Sequence, residues 1–183
     1  QDWFFLPGGG DSSGVIASLD RLEDLVNEEE QVNSDVPHPT SPVLRAEHFA
    51  LFDLVPTELA DAVAVTSGRW SDPVTWENQI VPAAGARVWI PQFMHVVVDV
   101  EIAAPVFTLR VDGGLEFDGL ADSGMTFDTM IVGPTGGLFI GAADRPVLPE
   151  ATVKLVISDQ GPIDRQWDPF ALGRGIINHG RCE

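Results

Sequence analysis

Val111-Asp-Gly-Gly-Leu-Glu-Phe117 is answered further along the chain by Pro134-Thr-Gly-Gly-Leu-Phe-Ile140, with the Gly-Gly pairs starting at 113 and 136, 23 residues apart. A repeat of roughly 20–25 residues built of strand, tight turn and strand is what one rung of a β-solenoid requires. The glycines are expected to supply positive φ where the chain turns. A single rung cannot bury its apolar face alone, so rungs must stack. Two echoes leave an ordinary sandwich open as the other arrangement of the same strands.

Working outward, short apolar or alternating runs recur on both sides of the echo. They are Val63-Ala-Val65, Val88-Trp-Ile90, Val96-Val-Val98, Leu109-Arg-Val111, Leu115-Glu-Phe117, Met130-Ile-Val132, Leu138-Phe-Ile140 and Val153–Ile157. Turn residues separate them, which predicts strands of about three to five residues. The expected fold class is mainly β: stacked strand pairs, solenoid-like (β-helix-like) or sandwich-like, with a short N-terminal helical segment.

The N-terminal part has a different texture. Pro7-Gly-Gly-Gly-Asp-Ser-Ser-Gly14 reads as a loop. Residues 15–27 then read as an amphipathic helix, capped by Ser18, with Ile16, Leu19, Leu22, Leu25 and Val26 on one face. A stripe this wide has to dock, either on the β-domain or on a neighbouring chain. Pro37, Pro39 and Pro42 mark a linker, and Ser41-Pro42 can start a second short helix through Arg45–Phe52. The division expected is an acidic arm over 1–48 and a β-domain over 49–183.

Charge narrows the partners. The formal net charge is −18, and it is uneven: residues 1–62 hold 13 acids against 2 Arg, residues 63–183 hold 15 acids against 8 bases. A chain without a basic stripe is not built for nucleic acid or for an anionic membrane surface. No stretch approaches the ~20 apolar residues of a membrane span, so membrane insertion is not expected. Cys182 is the only cysteine, which excludes an internal disulfide.

A longer set of residues resembles the G8 domain family. It begins with Leu51-Phe-Asp-Leu-Val-Pro56 and Ser67-Gly-Arg-Trp-Ser-Asp-Pro-Val-Thr-Trp76. It continues through Val81-Pro-Ala-Ala-Gly-Ala-Arg-Val-Trp-Ile-Pro91, Val98-Asp99, Gly113-Gly-Leu-Glu-Phe117 and Gly136-Gly-Leu-Phe-Ile-Gly141. The resemblance covers about 49 to 181 and implies an extracellular, secreted or cell-surface β-rich domain that usually leads into a right-handed parallel β-helix. Relatives include hyaluronan-degrading and fibrocystin-like animal proteins and bacterial secreted proteins. The tail Arg174-Gly-Ile-Ile-Asn-His-Gly-Arg181 resembles the start of such a β-helix, so a larger parent protein is expected.

Candidate site residues fall into two sets. Trp70, Trp76, Trp89 and Trp167 can form a stacking platform for sugar rings, or they can fill and cap the core. Trp70 and Trp76 are expected to pack together at one end, closing the first rung. Asp112, Asp118, Asp122 and Asp128 crowd the loops around the Gly-Gly turns and supply hard oxygen ligands for calcium, with solvated turns as the plainer reading. His38, His48, His95 and His179 lack zinc spacing, and neither His-Glu-x-x-His nor Gly-x-Ser-x-Gly occurs. No catalytic residue is marked. The reading therefore favours a non-catalytic module that binds polysaccharide or serves as a structural unit, by self-association or against a neighbouring β-helix domain. The alternative is part of a glycosaminoglycan-degrading enzyme.

Overall fold

The computed structural model describes residues 49–142, 145–159 and 161–183. The helix expected over 15–27 and the linker lie outside the described residues. Residues 49–53 are helical, which overlaps the end of the second short helix expected through Arg45–Phe52 and passes it by one residue.

The β-domain is a stack of five rungs in which every strand pairing is parallel. The strands are β1 (Ala62–Val63), β2 (Gly68–Arg69), β3 (Arg87–Ile90), β4 (His95–Val98), β5 (Glu101–Val111) and β6 (Gly114–Phe117). They continue as β7 (Ser123–Val132), β8 (Gly137–Ile140), β9 (Val153–Ile157), β10 (Gly175–Asn178) and β11 (Arg181–Cys182). One sheet runs β1-β3-β5-β7-β10, with β9 also pairing β7, and the other runs β11-β8-β6-β4-β2. Each turn of the chain gives one strand to each sheet. That is a solenoid, and it settles the choice against a sandwich.

The echo in the sequence is the rung repeat itself. Gly114 pairs Gly137, and Leu115, Glu116 and Phe117 pair Leu138, Phe139 and Ile140. The expected reason for the corner glycines is corrected, however. Positive φ among the glycines occurs at Gly85, Gly141 and Gly161, not at the two Gly-Gly pairs. What the corners need is closeness. A Cβ on Gly113 would run into the carbonyl oxygens of Met94 and Pro91, and one on Gly136 into that of Val111. Gly180 repeats the pattern against Gly136. These residues are glycine because one rung lies directly on the backbone of the last.

The inward residues form ladders. Ala62, Val88, Leu109 and Met130 stack in register and are 8%, 2%, 0% and 0% exposed. Val106 and Phe127 form a second ladder, fully buried, and Leu115 and Leu138 a third. Trp70 and Trp76 close the first rung as expected. Their rings meet edge to face at 4.8 Å, and Trp76 Nε1 donates to the Trp70 carbonyl at 2.8 Å. Trp70 Nε1, by contrast, is buried without a partner.

Two strands are longer than the three to five residues expected, since β5 has 11 residues and β7 has 10. Each bends within its length. Val106 and Leu109 both belong to the buried core, as do Phe127 and Met130. Inward residues three apart break the strict alternation of a strand, and a register shift lies between Ile102 and Val106. The pairs between them, Phe107-Thr108 and Asp128-Thr129, are thereby turned to the outer side.

Candidate functional site

The last rung differs from those above it. Where β7 runs unbroken, the chain below pairs with its first half as β9 and with its second half as β10. The described residues between those two strands, 158–159 and 161–174, form an excursion from the rung. This excursion is tied down by a buried carboxylate. Asp168 is 0% exposed and accepts from the backbone N–H of Leu172 at 2.9 Å and of Gly173 at 2.8 Å. Thr129 Oγ1, on β7, accepts from Arg174 N at 2.7 Å. Gly173 has no room for a side chain between Thr129 and Asp168.

Between the excursion and the outer side of β5 and β7 lies a cleft of about 210 Å³. Its lining includes Phe107, Asp128, Asp164, Trp167, Asp168 and Arg174. Phe107 and Trp167 stand with ring centroids 4.7 Å apart, and Trp167 Nε1 donates to the Leu54 carbonyl at 3.3 Å. Asp128 is 4% exposed. Its Oδ1 accepts from the Thr129 hydroxyl at 2.9 Å, and its Oδ2 lies 3.5 Å from Arg174 Nε. Arg174 Nε is buried and makes no hydrogen bond.

The four tryptophans do not share a face. Trp70 and Trp76 are each 1% exposed and present no open ring. Trp89, half-buried, donates from Nε1 to Asp112 Oδ2 at 2.8 Å. Of the four, Trp167 alone lines the cleft. The four aspartates are likewise divided. Asp112 holds Trp89 and Arg110, and Asp118 caps the N–H of Leu120. Asp122 accepts from Thr152 N, and Asp128 faces the cleft. Among the described residues, no group of three or more His, Cys, Asp or Glu is placed to hold a metal ion. Asp128 and Trp167 were legible under separate hypotheses, one for metal and one for sugar, and the fold brings both to one place. Phe107, Asp164, Asp168 and Arg174 were not singled out, because nothing local shows that the chain leaves the rung after Ile157.

A second feature is the underside of the last rung. Ile176 continues the Ala62–Val88–Leu109–Met130 ladder, yet it is 40% exposed. Ile157 continues the Val106–Phe127 ladder and is 47% exposed. Cys182 continues the Leu115–Leu138 ladder and is exposed.

Fold and site together define a short parallel β-solenoid, with two packed indoles at its first rung, ladder residues bared at its last, and an outer cleft beside that last rung. The chain belongs to the G8 domain family, whose model matches residues 75–182. Neither a curated protein nor a solved structure shows a match to the chain. Among the described residues no helix is long and apolar enough to cross a membrane.

Proposed function

We propose that the chain is an extracellular, non-catalytic structural module that starts a β-solenoid and seats a neighbouring β-helix on its last rung. One observation carries this reading. Residues in the core ladders are 0–8% exposed through four rungs, and the same ladders are bared at the fifth, at Ile157 and Ile176. Interior positions left open are what a rung shows when a further rung belongs beneath it. The strands β9, β10 and β11 also offer unpaired backbone groups along their lower edges, a template for another parallel strand. Membership of the G8 family supports the extracellular setting.

The test uses the chain as it is. With its last rung bare, it should associate as concentration rises in analytical ultracentrifugation. Ile176→Lys, combined with Ile157→Lys, should return it to monomer with an unchanged far-UV circular dichroism spectrum. A chain that stays monomeric at high concentration, and binds no apolar dye in a way the double variant removes, overturns the proposal.

A further inference from the structure

The last rung also specifies what can lie beneath it, at the corner where each rung passes from the first sheet to the second. Two carbonyls recur there. The one ending the first strand accepts from the rung below: Val111 O from Gly133 N at 2.8 Å, and Val132 O from His179 N at 2.9 Å. The one ending the corner does the same: Gly113 O from Gly137 N at 2.8 Å, and Gly136 O from Arg181 N at 3.0 Å. In the fifth rung the equivalent carbonyls belong to Asn178 and Gly180. A corner held this way leaves no room above its last residue. A Cβ there would meet backbone oxygen: that of Pro91 and Met94 above Gly113, of Val111 above Gly136, and of Gly133 and Gly136 above Gly180. Only glycine fits so close an approach of two backbones. The pattern begins at the third rung. At the second, His95 N donates to the Ser67 hydroxyl at 2.9 Å instead of to a carbonyl, and Met94 holds the glycine's place.

We infer that the partner of the last rung is a parallel β-rung with glycine at this corner, paired in register beneath Gly175–Asn178 and Arg181–Cys182 and donating to the Asn178 and Gly180 carbonyls. The inference rests on the last rung being a seat for a neighbour, and adds what that neighbour must carry. Its inward residues are apolar, since they cover Ile157 and Ile176. The rung-on-rung contact that is repeated down the chain is thereby continued once more. The first rung of a second copy does not qualify, because Ser67 occupies the corner place there.

The chain itself supplies the probe. Glu183 pairs alongside Phe139, as Phe139 does alongside Glu116. A copy of residues 117–139 joined after Glu183 therefore continues the stack in register. The corner of that copy, residues 133–136, already rides on a two-residue corner, Asp112-Gly113, the same length as His179-Gly180. In the full chain so extended, amide exchange should slow about tenfold or more at the copied Gly133 and Gly137, relative to the same segment as a free peptide. The methyl signals of Ile157 and Ile176 should also escape broadening by a soluble spin label. Gly136→Ala in the copy should abolish both effects. Thr126→Ala in the copy, at a place between the inward Met125 and Phe127, should leave them. Equal protection with glycine and with alanine overturns the corner requirement alone. Protection of the copy with Ile157 and Ile176 still open to the label overturns the register. No protection in either version overturns the seat for a neighbour as well.

Discussion

An alanine at Gly136 would drive its Cβ into the Val111 carbonyl oxygen, and backbone cannot swing aside. The three atoms nearest to a Cβ on Gly114 all belong to the His95 ring, a side chain rather than backbone. The two substitutions look alike in the sequence and should differ in the test tube. Gly136→Ala should cost about 1–3 kcal/mol, the usual penalty of forced overpacking, and Gly114→Ala clearly less, as read from chemical denaturation. The two capping indoles make a similar contrast. Trp76 Nε1 donates to Trp70 O, whereas Trp70 Nε1 has no partner. Trp76→Phe should therefore cost more than Trp70→Phe, by about 1 kcal/mol, the net worth of a hydrogen bond. Equal costs would show that the bond contributes nothing. Trp76→Ala should cost about 3–5 kcal/mol through the cavity it leaves.

At the level of elements, the short strands were legible because each is an apolar run between turn residues. Val153–Ile157 matches β9 in full, and Leu115–Phe117 and Leu138–Ile140 differ from β6 and β8 by one residue each. The first halves of β5 and β7 were not legible. Glu101-Ile-Ala-Ala-Pro105 holds a proline and lacks alternation, and Ser123-Gly124 reads as a turn. Gly124 in fact sits mid-sheet, between Glu101 of β5 and Lys154 of β9. With no side chain there, Lys154 Nζ reaches across to Glu101 at 2.7 Å, which holds its ammonium above the usual pKa. The cleft was hidden for a related reason, since periodicity cannot show a detour that later rejoins the same sheet. That detour should behave as a unit of its own stability. Asp168→Ala strips acceptors from the N–H groups of Leu172 and Gly173. Amide exchange should then quicken across 161–174 while the Leu109–Met130 region keeps its protection. Loss of protection in both regions together would show that the excursion is part of the cooperative core.

For the molecule as a whole, composition gives the charge but not which rung bares its ladder residues. The ladder residues Ile157 and Ile176 look, in sequence, like any other interior isoleucine. Their exposure follows only from their place in the stack. Charge acts against pairing of like molecules, because each copy carries −18. Association through the last rung should therefore strengthen as salt rises from about 0.05 M to 0.5 M, where the screening length falls severalfold. Weakening with salt would mean that ion pairs, not the apolar ladders, hold the contact.

The indole closure at the first rung has a consequence for growth. A parallel stack has a direction, like an arrow, and here its tail is plugged: Trp70 and Trp76 cover the interior there, and β1 and β2 are only two residues each. Head-to-tail addition of copies needs two receptive ends. An object with one stopper and one socket can be extended once, and the chain reaction that turns stacked strands into fibrils ends at the first step.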